Sequence, residues 1–273
     1  MSDTLITVDE LAEAMLSSRP PAVLDVRWQL GRDDGAQQYR EGHLPGSVYV
    51  DLDTELAAPG EPARGRHPLP DVADLQAAAR RWGVDALAPV VVYDDDGGMS
   101  AARAWWLLRW GGVADVKILD GGIGAWSDAG MRLSKGDAKP RTGTVVLTGG
   151  GLPSVDIDEV AATDGLLLDA RAGERFRGEV EPVDQRPGHI PGAASAPTAD
   201  NLVDGKFRTA DELRSRFTDL GVDGRRDVIV YCGSGVTAAH QIAALEHAGF
   251  RAALYPGSYS QWSSDPAREV EVG

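Results

Sequence analysis

Val228-Ile229-Val230-Tyr231-Cys232-Gly233-Ser234-Gly235-Val236-Thr237 runs from apolar to small residues, and the only cysteine of the 273-residue chain stands at the change. The apolar part reads as a buried strand. Ala238, Ala239, Ile242, Ala243 and Leu245 follow at helical spacing, in residues that favour a helix. Cys232 therefore falls where a strand ends and a helix begins. Gly233 and Gly235 let the loop curl until successive backbone N–H groups face inward. The positive end of the helix points at the same spot, as in anion-binding turns. A thiol placed there gives up its proton more readily than a free one. The plainer reading, a small hydrophobe inside a core, fits less well because Cys232 lies past the strand.

Outward from this stretch, the chain repeats itself. Val23-Leu24-Asp25-Val26-Arg27 returns as Leu167-Leu168-Asp169-Ala170-Arg171, and Gly42-His43-Leu44-Pro45-Gly46 as Gly188-His189-Ile190-Pro191-Gly192. Asp94 corresponds to Cys232, and Gly122 to Gly257, at offsets that drift slowly and keep their order. A period this long means two whole domains. Residues 1–134 form the first and 152–273 the second, with a polar, breaker-rich linker over 135–151. Residues 145–147 are apolar enough to make a strand or to pack along the first domain.

Each copy reads the same way. Thr7 with Glu10, and Asp156 with Glu159, fit capping boxes opening helices over 10–16 and up to Ala162. Strands follow over 23–26 and 166–169, then a Gly-His-x-Pro-Gly turn, with a strand over 47–50 in the first copy. Helices over 72–82 and 210–220 precede the tyrosine-ending strands, and helices over 100–109 and 237–247 come after them. Strands alternating with helices give an α/β fold, here two tandem domains, each a mainly parallel sheet flanked by helices. Ligand sites in such sheets form at the carboxyl ends of strands, where Cys232 falls.

The repeat contains its own control. The first loop, Asp94-Asp95-Asp96-Gly97-Gly98-Met99-Ser100, is one residue longer, carries three carboxylates and lacks sulfur, so it is expected to be a solvated acidic turn in an inactive domain. The formal net charge of −15 argues against nucleic acid or an anionic membrane as partner. One cysteine excludes an internal disulfide and a cysteine metal cluster. No signal peptide or apolar span of about 18 residues is visible, which makes the cytoplasm the expected location. No glycine-rich phosphate motif follows a strand, so neither cofactor nor metal is expected. His43 and His189 occur in both copies and are expected to brace turns; Trp105, Trp106 and Trp110 are expected in the core.

Taken together, Leu168-Asp169-Ala170-Arg171 with Arg175-Phe176, the Gly188–Ala193 turn and the Cys232–Ala238 loop resemble the two-domain rhodanese-type sulfurtransferases over nearly the whole chain. The resemblance implies a catalytic second domain. It also implies that Cys232 carries a transferable sulfur as a persulfide, from a small anionic donor to cyanide or a thiol such as a thioredoxin-like protein. Gly233, Gly235, Val236 and Thr237 would cradle the anionic sulfur, and Arg175 would grip the donor. The neutral loop Cys-Gly-Ser-Gly-Val-Thr resembles the 3-mercaptopyruvate enzymes more than thiosulfate rhodaneses, which carry cations there. In those enzymes a serine, a histidine and an aspartate cooperate; the matching residues are Ser234, His67 and Asp53. The family's second donor-binding arginine is missing after Glu181-Pro182, and Arg186 is the nearest substitute. Thiosulfate as main donor, or a sulfur-relay protein without turnover, are the alternatives. A cysteine phosphatase is excluded, because Cys-x5-Arg would need arginine where Ala238 stands.

Overall fold

The computed structural model describes residues 4–273. In the first half, β1 (Leu5–Ile6), β2 (Ala22–Asp25), β3 (Val48–Tyr49), β4 (Val90–Tyr93) and β5 (Val116–Leu119) form a sheet in the order β1-β5-β4-β2-β3. In the second half come β6 (Leu166–Asp169), β7 (Ala194–Ser195), the short antiparallel pair β8 (Leu202–Val203) and β9 (Lys206–Phe207), β10 (Val228–Tyr231) and β11 (Ala253–Leu254). The second sheet runs β11-β10-β6-β7, the same order as the last four strands of the first, and every pairing in both is parallel. The register repeats as well, Asp25 opposite Tyr93 and Asp169 opposite Tyr231. The place of β1 is taken in the second sheet by a single parallel bridge, Ser154 to Leu254.

The central strands β4 and β10 are buried at every residue, as sheets covered on both faces require. Both expected capping boxes are present, at Thr7 with Glu10 and at Asp156 with Glu159. The first helix runs Val8–Met15 and so starts two residues earlier than expected, because Thr7 is itself the cap and the helix begins immediately after it. The strand expected over 47–50 is shorter, Val48–Tyr49. Residues 145–147 join neither sheet. Val145 donates to the Val84 carbonyl and Leu147 to the Gln76 side chain, so this stretch packs along the first half.

The helices Ala101–Trp110 and Thr237–His247 lie against each other and join the two halves into one core. Alanines on both let the backbones approach, and Trp105 and Trp106 are fully buried beside them. Each helix also sends a side chain to the opposite loop. Arg103 Nη1 donates to the Gly235 carbonyl at 3.1 Å, and His240 Nε2 lies 3.2 Å from the Gly97 carbonyl. The two positions correspond once the extra residue of the first loop is allowed for. His240 is completely buried, which pushes its pKa down to about 4. Among the described residues no helix is long and apolar enough to cross a membrane.

Candidate active site

β10 ends at Tyr231, and the helix beginning at Thr237 starts five residues after Cys232. Between them the loop curls as its glycines allow. Gly235 has φ of 78°, and a β-carbon there would lie 2.7 Å from the Pro256 carbonyl. Its N–H donates to Cys232 Sγ at 3.1 Å, so the turn aims a backbone donor at the sulfur. The far side is held by the turn into the last helix, Ser258–Ser264: Ser258 Oγ accepts from the Cys232 N–H, Tyr259 N–H donates to the Cys232 carbonyl, and Ser260 N–H to that of Gly233. Ser258 keeps a left-handed φ of 51°, stabilised by those hydroxyl bonds. Cys232 is only 2% exposed, more recessed than its loop position implies. It packs with the buried core of the second half, and two guanidinium groups stand over the next residue: where a β-carbon on residue 233 would stand, Arg66 Nη2 is 2.8 Å away and Arg175 Nη1 3.5 Å.

Ser234, His67 and Asp53 meet across the two halves. Ser234 Oγ is 2.8 Å from His67 Nδ1, and His67 Nε2 is 3.2 Å from Asp53 Oδ1. Trp28 Nε1 donates to Asp53 Oδ2 at 2.9 Å, and the indole stands edge-on to the imidazole. Asp53 fixes the ring so that Nε2 donates to the carboxylate and Nδ1 accepts from serine. Burial and the nearby Arg103 charge hold the pKa of His67 below its usual 6.5, with Asp53 pulling the other way. His67 is delivered by a loop spread over the last helix. Arg66 N–H donates to Ser260 Oγ, Gln261 to the Ala63 carbonyl and Ser264 to that of Pro62. A cleft of about 440 Å³, lined in part by Arg66, His67, Asp184 and Ser260, opens between the loop that carries His67 and the last helix.

Arg175 is held through Nη2 by Glu181 (2.7 Å) and Asp184 (2.9 Å), and Arg66 pairs with the same Asp184. Arg171 forms a forked pair with Asp169, donates to the Gly188 carbonyl and lies over the Tyr259 ring at 3.8 Å. It is a structural brace.

The rhodanese-like domain family matches residues 7–129 and again 156–265. The chain belongs to the rhodanese family. A Mycobacterium tuberculosis relative, provisionally named thiosulfate sulfurtransferase SseB, is 47% identical over 98% of this chain and 97% of its own. A Pseudomonas aeruginosa relative, provisionally named 3-mercaptopyruvate sulfurtransferase, is 46% identical over 100% of this chain and 99% of its own. The crystal structure of the Escherichia coli 3-mercaptopyruvate enzyme SseA superposes with a TM-score of 0.83 at 33% identity, covering 93% of this chain and 98% of that one. The protein is thus a sulfurtransferase of the rhodanese type.

The first rhodanese domain shows what its counterpart loop does without sulfur. Asp94 is 1% exposed and not solvated as expected: its carboxylate turns inward and accepts from the N–H groups of Asp96, Gly98, Ser100 and Ala101. Burial pushes its pKa up to about 6, against those four bonds. The anion-holding turn of this rhodanese copy is filled by its own side chain.

Arg186 does not replace the missing arginine. Its guanidinium donates to the carbonyls of Trp262, Ser263, Asp265 and Arg268, because the loop after Pro182 turns it toward the C-terminal segment. Two residues that sequence reasoning passed over stand at the site instead. Arg66 comes from the residue before His67. Arg103 is fully buried and, besides Gly235, binds the carbonyls of Leu56, His67 and Pro68. Burial lowers its pKa to about 10, opposed by Cys232, so it stays cationic at neutral pH. The only sequence signal for either is an arginine beside a motif or within an alanine-rich helix.

Proposed function

We propose that this enzyme takes sulfur from 3-mercaptopyruvate, carries it as a persulfide on Cys232, and hands it to cyanide or a thiol. The observation that carries the donor is the Ser234–His67–Asp53 chain ending beside Cys232. In the first half-reaction the Cys232 thiolate attacks the donor sulfur, the carbon–sulfur bond breaks, and its electron pair leaves on carbon as the pyruvate enolate. That carbon must take up a proton. Ser234 gives up its hydroxyl proton and regains one through His67 Nδ1, which takes it from solvent, while Asp53 supports the imidazolium charge that this creates. In the second, the acceptor attacks the outer sulfur and the S–S bond breaks, releasing thiocyanate or a new persulfide and returning the Cys232 thiolate. Arg175 and Arg66 face the donor, and the loop backbone over Gly233, Gly235, Val236 and Thr237 surrounds the bound sulfur. The first domain contributes His67, Asp53 and Arg103 but no nucleophile. We assign the reaction to the cytoplasm, where a thioredoxin-like protein would be a suitable thiol acceptor.

Thiosulfate as main donor is the second reading, supported by the two guanidinium edges over Gly233 and by the name of the M. tuberculosis relative. Incubation with each donor alone, followed by mass analysis of the Cys232 peptide, tests both. Mercaptopyruvate is expected to add one sulfur atom that cyanide removes as thiocyanate. A peptide left unmodified by mercaptopyruvate but modified by thiosulfate would overturn the first reading in favour of the second.

A further inference from the structure

Asp184 stands where sequence reasoning sought a second cation, and donor binding alone does not call for a carboxylate there. Its side chain is 2% exposed and lies between Arg66 of the first domain and Arg175 of the second. Glu181, 3% exposed, pairs with Arg175 and, at 3.2 Å, with Arg171, whose main partner is Asp169. The cluster holds three guanidinium groups, Arg66, Arg171 and Arg175, and three carboxylates, Asp169, Glu181 and Asp184. It has no excess positive charge. It nevertheless turns two N–H edges, Arg66 Nη2 and Arg175 Nη1, toward the cysteine loop. Such edges bind a planar carboxylate or carbonyl through directed hydrogen bonds, whose geometry adds specificity to the attraction of charge.

We propose that Asp184 sets donor choice: by offsetting one of the two guanidinium charges at the mouth of the site, it favours a monoanionic α-keto acid thiol over dianionic thiosulfate. The inference rests on the sulfur-transfer reading above. Mercaptopyruvate brings one negative charge and a carbonyl, which the two N–H edges suit. Thiosulfate brings a second charge into a weakly screened site where Asp184 repels it. Asp184 also binds one arginine from each domain, so a neutral isostere keeps their spacing while removing the charge.

Asp184→Asn is expected to raise the thiosulfate-to-mercaptopyruvate ratio of kcat/KM about tenfold, the size of one moderately screened charge interaction. The gain should appear mainly in the KM for thiosulfate, and Asp184→Glu should keep the ratio near that of the unmodified enzyme. An unmoved or lowered ratio in the Asn variant, or a Glu variant behaving like Asn, overturns the inference. Should the Asn variant fail to fold, inhibition of the unmodified enzyme decides. Pyruvate is expected to inhibit at lower concentration than sulfate, and the reverse order overturns the proposal. An unmodified enzyme that forms no persulfide from mercaptopyruvate removes the donor reading together with this inference. Persulfide formation with an unmoved ratio removes only the inference.

Discussion

Ser234 and Cys232 sit two residues apart and, under the proposed reaction, carry separable tasks. Cys232→Ser is expected to reduce cyanide-dependent turnover to background with either donor while leaving the thermal unfolding midpoint within a few degrees, read by steady-state assay and by circular dichroism. Ser234→Ala should lower kcat/KM for mercaptopyruvate about a hundredfold, the usual scale of a lost proton relay, and for thiosulfate only severalfold, since sulfite leaves without needing a proton on carbon. Equal losses would remove the relay. At this scale the sequence spoke clearly wherever a residue's neighbours in the chain are its neighbours in space. Cys232, Gly233 and Ser234 share one short loop. His67 and Asp53 were reachable only through the family resemblance, because nothing near them in the chain signals a serine from the other half. Arg186 misled for the converse reason: it is close to Arg175 in number, but the loop after Pro182 carries its guanidinium to four carbonyls of the C-terminal segment.

The strand–loop–helix element occurs twice and turns its backbone donors toward a different side chain each time. In the second copy a backbone N–H points at sulfur; in the first, four point at the Asp94 carboxylate. Asp94→Ala would leave those donors buried without a partner and is expected to destabilise the protein by about 2–4 kcal/mol in urea unfolding. The same denaturation series should show almost no change for Asp95→Ala, whose side chain is on the exposed part of the loop. Strands and helices were legible because apolar spacing and capping residues act locally; the helix Thr237–His247 and the strand Leu166–Asp169 have their expected limits. The inward turn of Asp94 was not legible. Three consecutive aspartates look solvated until the folded loop supplies enough N–H groups to replace water.

Across the whole molecule, the helix pair between the domains makes stability depend on pH. His240 is buried with a pKa of about 4, against 6.5 for an exposed histidine. The folded protein therefore binds fewer protons than the unfolded chain between those values, and stability falls as pH drops from 6.5 toward 4. This residue alone contributes a loss of up to about 3 kcal/mol over that window. Denaturant titrations from pH 7 to pH 4 should show it, and His240→Gln should flatten the slope by a comparable amount. Nothing in the composition announced this, since a histidine on an alanine-rich helix acquires its environment only when Thr198, the Phe207 ring and the Gly97 turn of the other half close around it. The reciprocal bonds from Arg103 to Gly235 and from His240 to Gly97 have a further implication. Each half borrows a side chain from its twin to finish its own turn, so a fragment trimmed to the cysteine-bearing half would keep the nucleophile and lose its scaffolding. The half without a cysteine is thus part of the finished site, because the cysteine turn is closed by a guanidinium that only its twin supplies.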